Sequence, residues 1–383
     1  MGTARCVEEL PDIGALRYKM DNNLQAFLAL VRSGLWEQDI QLLPYGAINY
    51  NEVYRLAEEQ SVVGLVAAGL EHVKDVKLPQ EVALHFVGNT IQLEKRNTAM
   101  NAFIASLIEK LRLEGIYTLL VKGQGIAQCY ERPLWRACGD VDLLLSAENY
   151  DKAKIICQQL ASSIDEEDTK RKHFSITINN WIVELHGALL FNLSSRVDNV
   201  IQEAQCDVFY NGDVRSWLNG NTQVFLPSPN SDIIFVFTHF LHHFFIEGVG
   251  FRQICDWCRL LYSYKDTIDC NILERRLFEA GLMTEWMVFA SVAVNTLGMP
   301  EDAIPFYSKG KRYNRKSFKI IKRIFKTGNM GHNNDLSYRN KNNKFVVNII
   351  TFFRRFSDFV SIMSVFPVDV PRFFVTYIFN RIK

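Results

Sequence analysis

Two aspartates one residue apart, Asp140 and Asp142, open the apolar segment GDVDLLL (Gly139 to Leu145). Alternate side chains of an extended strand share a face, so the two carboxylates project together from Cα atoms ~7 Å apart. Such a pair can converge on one or two divalent ions. Magnesium binds in this way, through a few carboxylates, and keeps positions for water and substrate phosphates. Val141, Leu143 and Leu145 face the other way and bury the strand, while Leu144 ends the polar face. A third acid stands in WIVELH, where Ile182, Glu184 and His186 share one face and Val183 and Leu185 the other. A glutamate among apolar neighbours is costly to bury unpaired, and a metal ion or a nucleophile's proton would partner it. Asp-x-Asp alone is a common tripeptide; its company gives it meaning. Lys122 and Gly123 follow an apolar run and open a short helix. A glycine there lets backbone amides approach an anion, and Lys122 adds a mobile charge for phosphates.

Histidines form a second group. His239, His242 and His243 lie at i, i+3 and i+4, which places them on one helical face, with Asp256 on the next helical segment. Together they could hold zinc or iron, as a metal-dependent phosphohydrolase would require. The flanking aromatics and the lack of an HExxH general base favour a packing or substrate-facing role instead. His173 and His186, on neighbouring hairpin strands, are expected to be hydrogen-bonded structural residues. Cys255 and Cys258 make a lone CxxC inside a helix, and the expectation is two buried thiols.

These residues need elements to position them. From about Leu16 to Leu113 apolar residues recur at three- and four-residue steps, which predicts helices, the last stopping at Gly115. IYTLLV (Ile116 to Val121) then reads as a buried strand, GIAQCY as a brief helix, GDVDLLL as a second strand and NYDKAKIICQQL as a long helix. HFSITI and WIVELH read as a hairpin across Asn179-Asn180, a pair that tolerates positive φ. A trailing strand near Thr222 to Leu226 completes a small α/β module. PSPNSD (Pro227 to Asp232) reads as a linker and N-cap, followed by a second helical bundle.

The chain has 383 residues, 48% apolar and 22% charged, as expected of a folded protein of several domains. Its formal charge of +1 conceals an asymmetry. Pro305 to Lys383 carries 17 Lys and Arg against three acids, Asp335, Asp358 and Asp369, a net of +14; the remainder is at −13. A basic tail on an acidic body points to a polyanion, either nucleic acid or an anionic membrane surface. The tail interleaves cations with aromatics (KGKRYNRKSFKIIKRIFK, FVVNIITFFRRFSDFV), which suits either partner. The first residues lack the apolar core of a secretory signal, and Cys6 stands where a myristoylation motif needs Ser or Thr. With eight scattered cysteines, the expectation is a cytoplasmic protein, peripheral at the inner membrane face if the tail binds lipid.

VKGQGIAQCYERPLWRACGDVDLLL followed by VELH resembles the uncharacterised bacterial nucleotidyltransferase family of the DNA polymerase β-like superfamily. Its members carry a leucine-Lys-Gly turn, an arginine shortly before a Ser/Gly-Asp-x-Asp-leucine strand, and a later Glu-leucine-His strand. Here those positions read Val121-Lys122-Gly123, Arg136, Gly139-Asp140-Val141-Asp142-Leu143 and Glu184-Leu185-His186. The resemblance spans roughly Leu16 to Gly298, including HFLHHFFIEGVGFRQICDWCRLL. At one point the chain departs from the superfamily: Gln124 follows Gly123, where the usual turn is Gly-Gly or Gly-Ser. The resemblance implies an α+β fold, a small polymerase β-like sheet with N- and C-terminal helical domains; the order of elements divides the chain as 1–113, 114–226, 227–304 and a basic extension 305–383, which the resemblance does not cover. It further implies transfer of a nucleoside monophosphate from a nucleoside triphosphate to an unidentified hydroxyl. Asp140, Asp142 and Glu184 would hold Mg2+ or Mn2+. Lys122, Gly123, Gln124, Arg136 and Gly139 would meet the nucleotide, with His173 and His186 close by. The alternative is a non-catalytic module that binds nucleotide or polyanion on the same fold.

Overall fold

In a computed structural model the chain is described at residues 21–191, 193–331, 333 and 343–382. The stretch before Asp21, where the first helical region was expected to begin, lies outside them. Four helices lead: α1 (Asn22–Trp36), α2 (Tyr50–Glu59), α3 (Val63–Glu71) and the 34-residue α4 (Gln80–Leu113). The periodic segment that spans α2 and α3 is broken at Ser61, whose φ is +57°. Gln60 explains the break. It is fully buried, and its side chain and carbonyl accept from the amides of Phe251 and Arg252, so the interruption anchors a distant helix.

The middle of the chain is β1 (Leu119–Val121), α5 (Gly123–Ala127), β2 (Asp140–Leu144), α6 (Ala147–Leu160), β3 (Ser163–Ile164), β4 (His173–Ile178), β5 (Trp181–His186), α7 (Ser195–Tyr210), β6 (Val214–Asn219) and β7 (Thr222–Pro227). They build one mixed sheet in the order β3-β4-β5-β2-β1-β7-β6. Asn179 and Asn180 both adopt positive φ, +49° and +68°, as a two-residue hairpin turn requires. β6 was not anticipated from the sequence. It is an edge strand with an exposed Leu218 and polar neighbours, and it lacks the alternation of a half-buried strand. The residues expected to form a linker and N-cap join two elements directly: β7 ends at Pro227, Ser228 is the N-cap, and Pro229 is the first residue of α8 (Pro229–Ile246). Proline suits that position because its fixed φ is already helical.

The two faces of the sheet serve different cores. Val141, Leu143, Val183 and Leu185 pack with Met100, Ile104, Leu107 and Leu111 of α4 and with Tyr150 and Cys157 of α6. On the other face, Leu119, Val121 and Leu144 join a larger core that runs from Phe27 through α8 into α9 (Phe251–Ser263), α10 (Cys270–Ala280) and α11 (Met283–Asn295). The basic extension adds α12 (Lys311–Thr327), α13 (Lys344–Met363) and α14 (Asp369–Ile382), and Phe359, Phe366 and Phe373 enter this same core. Among the described residues, no helix is long and apolar enough to cross a membrane.

Close backbone approach seals the first helices. A Cβ on Gly69 would lie 2.1 Å from the Leu30 carbonyl oxygen, and one on Gly34 1.9 Å from that of Leu65. Gly69→Ala is therefore expected to force α1 from α3 and to lower stability by about 1–3 kcal/mol, measured by urea unfolding. An unchanged midpoint would show that the helices can separate freely.

Candidate active site

Strand register decides which polar groups meet. β2 and β5 run parallel with Asp142 opposite Glu184, on the sheet face turned toward α8 and α9. β4 runs antiparallel to β5, placing His173 opposite His186, and β1 runs antiparallel to β2 with Val121 opposite Asp142. Lys122, one residue beyond, takes an uncommon φ of +58° that turns the chain into α5. Its Nζ donates to Asp142 Oδ1 at 2.8 Å, and His186 Nε2 lies 2.9 Å from the same oxygen. His173 Nε2 and His186 Nε2 lie 3.3 and 3.5 Å from Glu184 Oε2. Asp142 is 3% exposed, Asp140 and Glu184 half-buried.

The electrostatics follow from this crowding. Asp140 is raised above the usual carboxylate range, first by the charge of Asp142 and then by burial. Burial also acts to raise Asp142, but Lys122 and His186 outweigh it and hold that carboxyl below its ordinary value. Glu184 is likewise held low: burial opposes, and its hydrogen bonds to His173 and His186 prevail. Burial disfavours the charged forms of Lys122 and His186, yet the carboxylates raise both groups. The histidines expected to be structural are thus hydrogen-bonded as expected, and their partners are the site carboxylates themselves.

The donor set carries the ligand chemistry of a divalent cation site. Carboxylates from two adjacent strands share one face, and the leading influence on Asp140 is repulsion from Asp142, which a cation would relieve. Carboxylate oxygens are the hard ligands that Mg2+ and Mn2+ take. Among the described residues, His173, Glu184 and His186 also bring their ligand atoms within 4.8 Å of one another, a set with nitrogen donors.

The cleft above the carboxylates holds a cavity of about 250 Å³, walled by Lys122, Gly123, Phe191, His239, His242 and Arg252 among others. Gly123 has φ +41°. Gln124 turns away from the cleft: it is buried and donates to Asn97 Oδ1 at 2.9 Å. Gly139 precedes β2 with open space where a Cβ would stand. Arg136 borders the cleft, but its guanidinium is committed to Asp256, with Nε to Oδ1 at 3.0 Å and Nη2 to Oδ2 at 2.6 Å. Tyr130 donates its hydroxyl to Asp256 Oδ1 at 2.8 Å. Asp256 therefore serves the arginine and does not complete a metal set with the histidines of α8. Those histidines form a chain of their own. His239 Nε2 is 3.1 Å from His243 Nε2, and His243 Nδ1 is 3.2 Å from Glu247 Oε2 at the surface. Burial, first among the causes, pushes His239 well below the usual range and His242 down to about 4, so both imidazoles are neutral. Cys255 and Cys258 are buried thiols, both pushed up chiefly by burial.

Sequence reasoning missed Arg252. It lines the cleft beside Asp140 and donates from Nη1 to the Ala137 carbonyl at 3.3 Å, while its buried Nε has no partner among the described residues. Burial and the charge of Arg136 depress it. No motif marks it, because α9 brings it to the cleft from more than 100 residues beyond Asp140.

Residues 46–298 match a family described as "uncharacterised nucleotidyltransferase". The chain belongs to that family. Neither curated proteins nor solved structures yield a match. The matched span holds every cleft residue from Lys122 to Asp256 and stops before α12, so the nucleotidyltransferase family unit is α2 through α11, the sheet included.

Two outcomes follow for this cleft. Asp256→Asn leaves Arg136 as an unpaired buried cation and is expected to lower stability by about 3–5 kcal/mol in urea unfolding; a change below about 1 kcal/mol would free Arg136 for another partner. Asp142 and Glu184 titrate below the ordinary range, so near pH ~4 the unfolded chain binds more protons than the native one. Their pairing stabilises the fold above that pH, and the benefit is lost as pH falls through the depressed native values. Lys122→Met is expected to reduce stability at neutral pH and to flatten the acid-side decline. Parallel decline of both proteins in pH-dependent unfolding would refute the pairing.

Proposed function

We propose that this cleft transfers a nucleoside monophosphate from a nucleoside triphosphate to a hydroxyl acceptor, with Asp140, Asp142 and Glu184 holding Mg2+ or Mn2+ on a polymerase β-like sheet. The observation that carries the reading is the shared face of the three carboxylates, beside two cations that reach the same cavity, Lys122 and Arg252. A bound divalent ion would neutralise charge on the α-phosphoryl group and acidify the attacking hydroxyl. The chain's own groups do the remainder. Arg252 binds the β- and γ-phosphates and stabilises departing pyrophosphate, and Lys122, which spends one of its three N–H donors on Asp142, offers them the others. Arg252 replaces Arg136 in that role, since Arg136 is engaged by Asp256. Gly123 presents backbone without a side chain at the turn, and Gln124 supports that turn from below through Asn97.

Glu184, kept ionised by two imidazoles, is better suited to a metal ligand than to a proton acceptor. The proton from the acceptor hydroxyl has a route along His239, His243 and Glu247, which join the cavity to the surface through hydrogen bonds. The neutral wall of His239, His242 and Phe191 offers hydrogen-bonding and stacking surface without added charge, as a base or acceptor ring requires.

Magnesium-dependent release of pyrophosphate from a nucleoside triphosphate tests the proposal, and its absence with every common triphosphate would favour a non-catalytic binding module. Asp142→Asn is expected to slow release by about 100-fold or more per folded molecule, measured below its melting temperature, which falls because Lys122 and His186 lose their charged partner. Arg252→Ala is expected to raise KM for the triphosphate by about 10- to 100-fold, the worth of one or two charge-assisted hydrogen bonds. Wild-type kinetics in either variant would contradict its assignment.

A further inference from the structure

The basic extension presents two complementary stripes. On α13, Ile349, Phe352, Phe353, Phe356, Val360 and Met363 are all exposed, Phe353 by 64% and Val360 by 49%. At 3.6 residues per turn these six fall within an arc of about 100°. The opposite side of α13 is the buried one, with Thr351 and Ile362 turned to the protein. On α12, Lys311, Arg312, Arg315, Lys319, Lys322 and Lys326 are exposed and fall within a similar arc of about 100°, opposite the buried Ile320, Ile321 and Ile324. The two helices touch: Lys319 Nζ reaches the Ser364 carbonyl beyond the end of α13, and Arg323 lies 3.6 Å from Asp358.

An apolar stripe of this size on a folded surface calls for a partner. Charge and side-chain type select it. α12 carries no acid, Asp358 is spent on Arg323, and Asp369 is buried, so the face is cationic. A second copy would set one cationic face against another. Nucleic acid would meet the cations and stack on the phenylalanines, yet Ile349, Val360 and Met363 offer it nothing. Acyl chains accept all six apolar side chains, and anionic headgroups accept the neighbouring lysines and arginines.

We propose that α12 and α13 together form a docking surface for an anionic lipid bilayer, with α13 lying in the plane of the headgroups and its phenylalanines directed into the acyl layer. The attachment is peripheral, because α13 carries charge within its 20 residues and no described helix qualifies as a span. It holds the nucleotidyltransferase unit at a membrane independently of any transfer reaction.

The test uses the full chain in flotation with vesicles of phosphatidylcholine alone or mixed equally with phosphatidylglycerol. Binding is expected only to the anionic vesicles and is expected to weaken when ionic strength rises from about 0.05 to about 0.5 M. F353S/F356S is expected to reduce anionic-vesicle affinity about tenfold or more. K319E/K322E is expected to reduce it about fivefold or more. Both double variants replace exposed residues, and circular dichroism melting confirms that they fold. Absence of binding, or binding that F353S/F356S leaves intact, overturns the proposal. So does a concentration-dependent dimer that F353S/F356S dissolves, or an affinity for single-stranded oligonucleotides that exceeds that for anionic vesicles.

Discussion

Like charges a few ångströms apart repel, and a sheet that places Asp140, Asp142 and Glu184 on one face must supply cations against them. Lys122 and His186 on Asp142, and His173 and His186 on Glu184, are that supply. At the end of β1 the non-glycine Lys122 takes positive φ, where the chain turns into α5 and the ammonium reaches Asp142 on the neighbouring β2. The arrangement explains why two histidines stand opposite each other on β4 and β5. Their rings satisfy carboxylates that would otherwise be buried beside one another. Asp140 is the acid of the three that is raised, by the charge of Asp142 and by burial, against the opposing charges of Lys122 and Arg252.

The helical layer above the sheet is fixed by a second set of charges. Arg136 with Asp256 and Tyr130, Arg215 with Asp232, and Arg276 with Asp207 all join a helix of the C-terminal half to the sheet module or its flanks. Arg259 donates to the carbonyls of Cys129 and Leu35, tying α9 at once to α1 and to the segment after α5. Breaking such a pair leaves a charge in low dielectric, so these contacts set where the helices sit more than how tightly they hold. The position of α9 matters most, because it carries Arg252 to the cleft while Gln60 accepts from its first amides. Sheet and helices thus contribute different halves of the site: the sheet its anions, the helices a cation and the neutral aromatic wall.

The acid and base excess of the chain is divided along its length in the same way. The family unit holds the acidic cleft, and the extension beyond it holds six exposed cations on one helix and six exposed apolar groups on the next. Lys319 reaches the Ser364 carbonyl, and Phe352 and Phe356 lie near Phe374 of α14, yet all twelve groups stay exposed. The buried sides of α12 and α13 already satisfy the core through Ile320, Ile324, Phe359 and Ile362.

Much of the site was legible from residue type and period alone. Strand periodicity fixes that Asp140 and Asp142 point one way and Val141 and Leu143 the other, because alternation is a property of the extended backbone. Asn179-Asn180 specifies its turn because both residues tolerate positive φ, and Gly115 ends α4 for the same reason. Tertiary structure decided what depends on register and on distant partners. Whether Glu184 stands beside Asp142 or one residue off is set by how β2 pairs with β5, and a one-residue slip would have turned it to the opposite face. The family resemblance implies that Arg136 meets the nucleotide, yet Asp256, 120 residues later, takes its guanidinium. Gln124 sits in the turn that should meet a nucleotide and packs beneath it on Asn97. Arg252 belongs to no motif, and only the fold brings it to the cleft. Local sequence dictates which way a side chain faces along its own element; which partner it finds there is settled by the packing of elements far apart in the chain.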